Sequence, residues 1–410
     1  MSLYLTEEKT SSFYIHWPFC PYRCFYCPFI AIAGQDEFME KYHEALITEI
    51  KTFATKQSTD LFTGALSKEE VLAACAPEPW RKSDKKNIIF LETLYFGGGT
   101  PSTYPLNLLL DTFAILRNEF SFSDNPEITL EVNPGTVTEN HLKIWQEIGI
   151  NRVSIGVQSF NEKALTDVNR HQKVKDVIWL LSTIFSYIKN VSVDIILGLP
   201  GVSKDDWQSM LKKLVSFPIT HISMYILEIH DTTQLFYKLQ KKELHLPHEE
   251  ETIELFYWSC NFLKEAGFNQ YEISNFSRNN YYSRHNTAYW EQQPFKGFGL
   301  GAWSFDGKQR LGNEKNLMLY IKKASEQKDV EIETEVISST QRRTETIMLG
   351  LRRACGVAYQ LIVAGNEEER KKEKVEKLIQ EGFMVKTADE RLILTARGLI
   401  VENRIVSEII

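Results

Sequence analysis

Residues 152–160 read RVSIGVQSF. In extended backbone successive side chains point to opposite sides, so Arg152, Ser154, Gly156 and Gln158 share one face while Val153, Ile155 and Val157 share the other. The same division runs through ITLEVN (128–133), where Thr129, Glu131 and Asn133 oppose Ile128, Leu130 and Val132. It recurs in VSVDII (191–196), where Ser192 and Asp194 oppose Val191, Val193 and Ile195. A parallel strand covered by helices on both faces should be nearly all apolar. Alternation argues instead that the apolar faces meet covering helices and the polar faces point together into a wet, functional lumen, as in a barrel or partial barrel. The competing reading is a half-exposed sheet of isolated amphipathic strands.

Outward from these stretches, short β-branched or aromatic runs at 12–17, 91–97, 127–133, 152–158, 190–197 and 221–228 alternate with segments of helical period near 36–55, 107–119, 138–148, 173–188 and 204–215. This βα repetition predicts an α/β fold with a parallel sheet. Residues 56–86 break the rhythm and end in a basic polar run, which reads as a surface insertion. Three regions are expected: a barrel over 1–230, a helical and aromatic segment over 231–310, and a small α+β, winged-helix-like domain over 311–410. The charged helix NEEERKKEKVEKLIQEGF in the last of these is read as a solvated face.

A chain of 410 residues supports a large core. Its net charge of -7, with no dense Lys/Arg block, argues against a nucleic-acid partner and favours small molecules or proteins. No basic leader opens the sequence, and no window reaches the ~20 apolar residues of a membrane span, so a cytoplasmic protein is expected. Six cysteines, with Cys20, Cys24 and Cys27 clustered and Cys75, Cys260 and Cys355 scattered, do not form a secreted disulfide framework; clustered thiols in a reducing compartment bind metal or do redox work.

The cluster lies in FYIHWPFCPYRCFYCPFI (13–30), just after the first strand. Zinc sites complete four ligands with a second Cys or His pair, and none stands at a suitable offset here. Clusters that only carry electrons normally use four cysteines, so three leave one iron open to another ligand.

Cys-x3-Cys-x2-Cys at the head of a βα array resembles the radical S-adenosylmethionine (SAM) superfamily, whose fold is a partial (β/α)6 TIM-like barrel. The resemblance implies a 4Fe-4S cluster on Cys20, Cys24 and Cys27, with the amino and carboxylate groups of SAM on the open iron. Reductive cleavage there would release methionine and a 5'-deoxyadenosyl radical, the protein orienting and shielding the cofactors. By the same resemblance Tyr26 lies over the adenine, and Gly98, Gly99 and Thr100 of YFGGGTPS (95–102) grip the SAM amino group. Matched to relatives in porphyrin metabolism, Tyr14 stands near the sulfonium and Glu131 pairs with the ammonium. Gln158 and Asp194 bind the ribose, and Arg170 of VNRH pairs with the SAM carboxylate. The chemistry suits these roles, since a guanidinium forks onto a carboxylate and a carboxylate attracts an ammonium. The bland alternative for each is an internal ion pair or a helix cap.

Within the superfamily, residues 271–305 contain HNxxYW (His285, Asn286, Tyr289, Trp290), which resembles the HemW heme chaperones, relatives of oxygen-independent coproporphyrinogen III oxidase. The likeness extends to LGLPG (197–201), MLGLR (348–352) and LTARGLIVEN (394–403). The oxidases usually carry another cysteine two positions after the third cluster cysteine; here that position is Phe29. A histidine beside stacking aromatics can contact a heme, and the alternative for His285 is a buried histidine bonded to the backbone. His16 is expected to support the site. Pro28-Phe29 replaces the usual Asp-Phe and removes a backbone donor beside the cluster.

The resemblance thus implies a heme-binding protein that delivers heme to an apo-hemoprotein, a respiratory one and in one version membrane-associated. A reductant protein such as flavodoxin would supply electrons, and the chain would act as a monomer or homodimer. The alternative is the oxidase reaction itself, radical decarboxylation of coproporphyrinogen III propionates. A third reading is another porphyrin-directed radical SAM enzyme, such as a heme-opening one.

Overall fold

The computed structural model describes residues 11–63 and 90–410. The six expected strands are present as Ser12–Trp17, Phe90–Gly98, Ser121–Val132, Arg152–Gln158, Asn190–Leu197 and His221–Ile226. Helices Leu106–Glu119, Glu139–Glu147, Val174–Thr183 and Lys204–Val215 fall between them, the last opened by a capping box of Ser203 and Asp206. The first helix runs over Met39–Thr63, so residues 56–63, read as the start of an insertion, continue the helix. The rest of the 56–86 insertion, with Cys75, lies outside the described residues. Ser121–Val132 begins earlier than the expected 127; Pro126 is accommodated because its fixed φ suits extended backbone and it forfeits only one donor.

The chain forms two compact units built from interleaved stretches: residues 1–20, 30–128 and 294–335, and residues 21–29, 129–293 and 336–410. In the first, strand order is Glu331–Val336, Gln309–Asn313, Trp303–Phe305, Phe295–Phe298, Ser12–Trp17, Phe90–Gly98. Ser12–Trp17 is paired in parallel on both sides, with Ser12 opposite Thr93 and opposite Phe295. Around it pack aromatics: Trp17 stacks on Tyr104 with ring centroids 3.8 Å apart, and Phe13 meets Phe120 edge-on at 4.8 Å. A buried carboxylate ties this unit together. Glu49 accepts from the Tyr320 hydroxyl at 2.6 Å, the Gly299 amide at 2.9 Å and the Asn313 side chain at 2.8 Å.

In the second unit the end of Ser121–Val132 pairs with Arg152–Gln158, then Asn190–Leu197, His221–Ile226, Asn275–Ser277 and Asn269–Gln270. The apolar face is closed as expected: Val153, Ile155, Val157, Val191, Val193 and Ile195 are all at 0% exposure. The polar face is not uniformly wet. At the strand starts Thr129, Arg152, Ser192 and His221 are buried, whereas further along Glu131, Gln158 and Asp194 are partly open. The open layer is therefore at the carboxyl ends of the parallel strands, where α/β proteins place ligands. The C-terminal part of this unit has its own core, including Leu351, Ile362, Val375, Met384, Leu392 and Ile405, under the antiparallel strands Val357–Ala358, Arg391–Leu394 and Met384–Lys386. Arg353 joins it to the aromatic segment through Glu291 at 2.7 Å.

Glu272 of that segment is 2% exposed, and neither carboxylate oxygen has a hydrogen-bond partner of good geometry. Burial raises its pKa to about 7, with nearby amides of Ser274 and Asn275 opposing.

Two predictions follow from these carboxylates. Glu49→Ala strands a buried hydroxyl, amide and backbone N–H together, and should cost about 3 kcal/mol in denaturant unfolding. For Glu272 the unfolded chain loses its proton near pH 4.5 and the folded one near pH 7. Stability from its neutral form is thus complete below pH 4.5 and declines as pH rises to 7, by about 3 kcal/mol. Unfolding of Glu272→Gln measured across this range should lack that decline.

Candidate functional site

In the first unit, Ser12–Trp17 delivers the chain into Phe19–Cys20, which pairs with Ile32–Ala33. Cys20 Sγ accepts a hydrogen bond from Thr100 Oγ1 at 3.2 Å. The glycine run makes this approach feasible. A Cβ at Gly99 would stand 2.4 Å from the Pro18 carbonyl oxygen, and one at Gly98, whose φ is +114°, would stand 2.6 Å from the His16 ring. The Gly99 and Thr100 amides donate to Trp17 and Phe19 carbonyls at 2.8 and 2.9 Å. Those amides are thus committed to the cysteine strand.

Tyr14 lies on the same strand, its hydroxyl 3.1 Å from His16 Nδ1, and it stacks on Tyr95. His16 Nε2 is 3.0 Å from the Ile30 carbonyl, which can only accept, so Nε2 carries the proton and Tyr14 donates to Nδ1. Burial lowers the His16 pKa to about 4, against the opposing Ile30 bond, and the ring stays neutral. Both nitrogens are engaged, which makes His16 a support for Tyr14.

In the second unit, residues 21–29 form a loop pinned by backbone. Phe25 donates to Val168 and receives from Leu235, each at 2.9 Å, and Asn169 donates to the Arg23 carbonyl at 2.8 Å. Cys27 N bonds back to Cys24 O at 3.2 Å, turning the chain between the two thiols. Arg170, 8% exposed, donates through Nη2 to the Gly156 carbonyl at 2.5 Å and to Gln172 Oε1 at 2.8 Å. Its Nη1 is 3.9 Å from Cys24 Sγ. The guanidinium expected at a ligand carboxylate therefore stands directly beside a cluster-type cysteine. Burial opposes its charge, but Tyr26 and Cys24 on the other side raise its pKa. The enclosed Tyr26 hydroxyl lies within electrostatic range of Arg170 and Cys24, and burial raises its pKa. Burial likewise pushes the Cys27 thiol up.

Gln158 ends its strand at φ +60°, where the register with Asn190–Leu197 shifts. Such conformations are costly for non-glycine residues and concentrate at ligand sites. Gly156 makes room for it: a Cβ there would lie 2.9 Å from Arg170 Nη2 and 3.0 Å from Gln158 Nε2. Asp194 accepts from Ser154 at 2.9 and 3.0 Å and from Ser192 at 3.4 Å, with Ser223 opposite it in register. Burial raises its pKa, the serines opposing. Glu131 sits opposite Ser154, within electrostatic range of Cys27.

His285 lies on helix Arg284–Trp290, capped by Ser283. It is 1% exposed, its Nε2 lies 2.7 Å from the Tyr289 hydroxyl, and burial with Arg152 nearby lowers its pKa to about 3. In this arrangement the ring is closed against Tyr289. Phe29 is 66% exposed. Residue-by-residue reading had no role for Gln172, for the serines around Asp194, or for His221, which links Ser192 to Tyr271; short hydroxyl side chains carry no signal until their neighbours are known.

Among the described residues, no three His, Cys, Asp or Glu side chains converge as on a single ion. A four-iron cluster asks for something else, since each thiolate binds a different iron. Within the first unit Thr100 donates to Cys20, and within the second Arg170 stands beside Cys24; donors of this kind offset the charge of a thiolate. Among the described residues no helix is long and apolar enough to cross a membrane.

Comparison with known proteins shows the family and the fold. The sequence model of the Radical SAM superfamily matches residues 81–214. The heme chaperone HemW of Synechocystis sp. is 32% identical over 368 residues, covering 88% of this chain and 82% of that protein. HemW of Bacillus subtilis is 28% identical over 399 residues, covering 96% and 97%. Among solved structures, coproporphyrinogen III oxidase (HemN) of Escherichia coli superposes with a TM-score of 0.78 at 20% identity, over 98% of this chain and 90% of that one, so the α/β radical SAM fold is shared. With that fold and relatedness across nearly its whole length, the chain belongs to the HemW family of radical SAM proteins.

Proposed function

We propose that this chain binds a 4Fe-4S cluster, SAM and heme, and delivers the heme to apo-hemoproteins. The observation that carries the reading is relatedness to proteins named heme chaperones over four-fifths of their length, joined to an exposed Phe29 where the oxidase relatives have a cysteine. Cys20, Cys24 and Cys27 would ligate the cluster, which, when bound with SAM, supplies one-electron chemistry. Thr100 would steady Cys20, and Arg170 would offset charge at Cys24 and pair with the SAM carboxylate. Tyr14, Tyr26, Gly98, Gly99, Glu131, Gln158 and Asp194 would hold SAM in the roles given above. Heme would contact the segment of His285, Tyr289 and Trp290; direct ligation by His285 requires the Tyr289 hydroxyl to give way. The acceptor would be a respiratory apo-hemoprotein met in the cytoplasm or at a membrane face. Electrons would come from a flavodoxin-like reductant.

Anaerobic reconstitution tests the cluster: the triple Cys20→Ser, Cys24→Ser, Cys27→Ser variant should retain almost no iron or sulfide, and a full complement would refute the ligand set. The function is tested by giving the reconstituted protein coproporphyrinogen III, SAM and reductant, and separately heme and an apo-cytochrome. Heme transfer without decarboxylation is expected; protoporphyrinogen formation would establish the oxidase reaction instead.

A further inference from the structure

Inside the second unit a chain of hydrogen bonds runs from Asp194 to the start of helix Arg284–Trp290. Ser192 Oγ stands 3.4 Å from Asp194 Oδ1 and 2.8 Å from His221 Nδ1. His221 Nε2 is 2.8 Å from the Tyr271 hydroxyl, and that hydroxyl accepts the Ser283 backbone N–H at 3.2 Å. Ser283 is the helix cap: its side chain accepts from the Asn286 amide, and its carbonyl accepts from Thr287. Ser192 and His221 are fully enclosed, so bulk water does not compete.

The carboxylate end orders the protons. With Asp194 ionised the carboxylate only accepts, so Ser192 donates to it, accepts His221 Nδ1–H, and leaves His221 Nε2 to accept from the Tyr271 hydroxyl. The Ser283 amide donates to the Tyr271 oxygen in either order. Reversing the chain would turn a Ser192 lone pair onto the carboxylate. The order requires a neutral His221 protonated at Nδ1. Burial, with Arg152 nearby, holds the ring pKa well below its usual value and keeps it neutral.

We infer that His221 is a positioning residue that couples the occupant of Asp194 to the first turn of the helix carrying His285, Asn286, Tyr289 and Trp290. This rests on the proposed function in taking Asp194 as a ribose contact and that helix as the heme-facing element. A ribose hydroxyl donating to Asp194 competes with Ser192 for the carboxylate. The adjustment passes through the imidazole to Tyr271 and the Ser283 amide, so that SAM and heme each alter the other's affinity, as linkage demands.

The test uses cluster-loaded protein with and without saturating SAM, reading amide hydrogen exchange at residues 283–287. In the wild type, SAM should change these rates about 5-fold or more, within the usual range of coupling between sites. In Tyr271→Phe, which keeps the ring packed on Tyr282, the SAM-dependent change should vanish while SAM affinity is retained. Ser192→Ala, which cuts the chain at its other end, should also abolish the change, and because it removes the donor that competes with the ribose it should not weaken SAM binding. A SAM-dependent change that survives in both variants, or its absence in wild type that binds SAM, overturns the inference. Imidazole 15N shifts provide a second readout, and an Nε2–H tautomer for His221 would also overturn it. Failure of heme to bind would remove the heme reading alone, since the exchange experiment contains no heme.

Discussion

A guanidinium or carboxylate enclosed among apolar strands keeps its charge only by finding partners inside the protein, and the strand-end layer of the second unit is organised around that requirement. Arg170 can be buried only because the Gly156 carbonyl and Gln172 take its protons, and Gly156 must lack a side chain for the guanidinium to reach that carbonyl. Asp194 is tolerated because serines on its own and neighbouring strands donate to it. These acids and bases stand where the parallel strands end. The apolar faces of the same strands are packed shut, so polar chemistry is confined to one side and one end of the unit.

The first unit answers a different constraint, close backbone approach. Gly98 and Gly99 let the strand Phe90–Gly98 lie against the Trp17–Cys20 backbone, and that contact brings Thr100 onto Cys20. Glu49 serves the same unit from the opposite direction, gathering an amide, a carboxamide and a phenol from segments 250 or more residues away. Local sequence has no means of announcing such a contact, because its partners are chosen by the fold.

The six strands were legible as short β-branched or aromatic runs between helical segments, and three of them carry a clear period-2 pattern. What escaped was set by distant partners. Phe295–Phe298 and Trp303–Phe305 show no sustained alternation and become strands because Ser12–Trp17 offers a free edge to the first of them. Helix Glu162–Asp167 was missed for its brevity; its Asn161 cap is visible only beside the Ala164 amide it accepts. Glu272 looked like one more acid in an aromatic stretch, and only enclosure changes its protonation.

The sequence by itself determined the alternating strands, the cysteine spacing, the glycine run and the presence of acids at mid-strand, all of which follow from chemistry within a few residues. The tertiary structure alone decided which polar positions stay open. Along one face Arg152 is sealed and Gln158 is not, because the strand starts are packed and the strand ends are free. It also decided that Arg170 stands beside Cys24, that His285 closes onto Tyr289, and that His221 joins Ser192 to Tyr271, the latter fifty residues further along the chain than His221. Burial and hydrogen-bond partnership are properties of the assembled fold, and no single stretch of chain contains them.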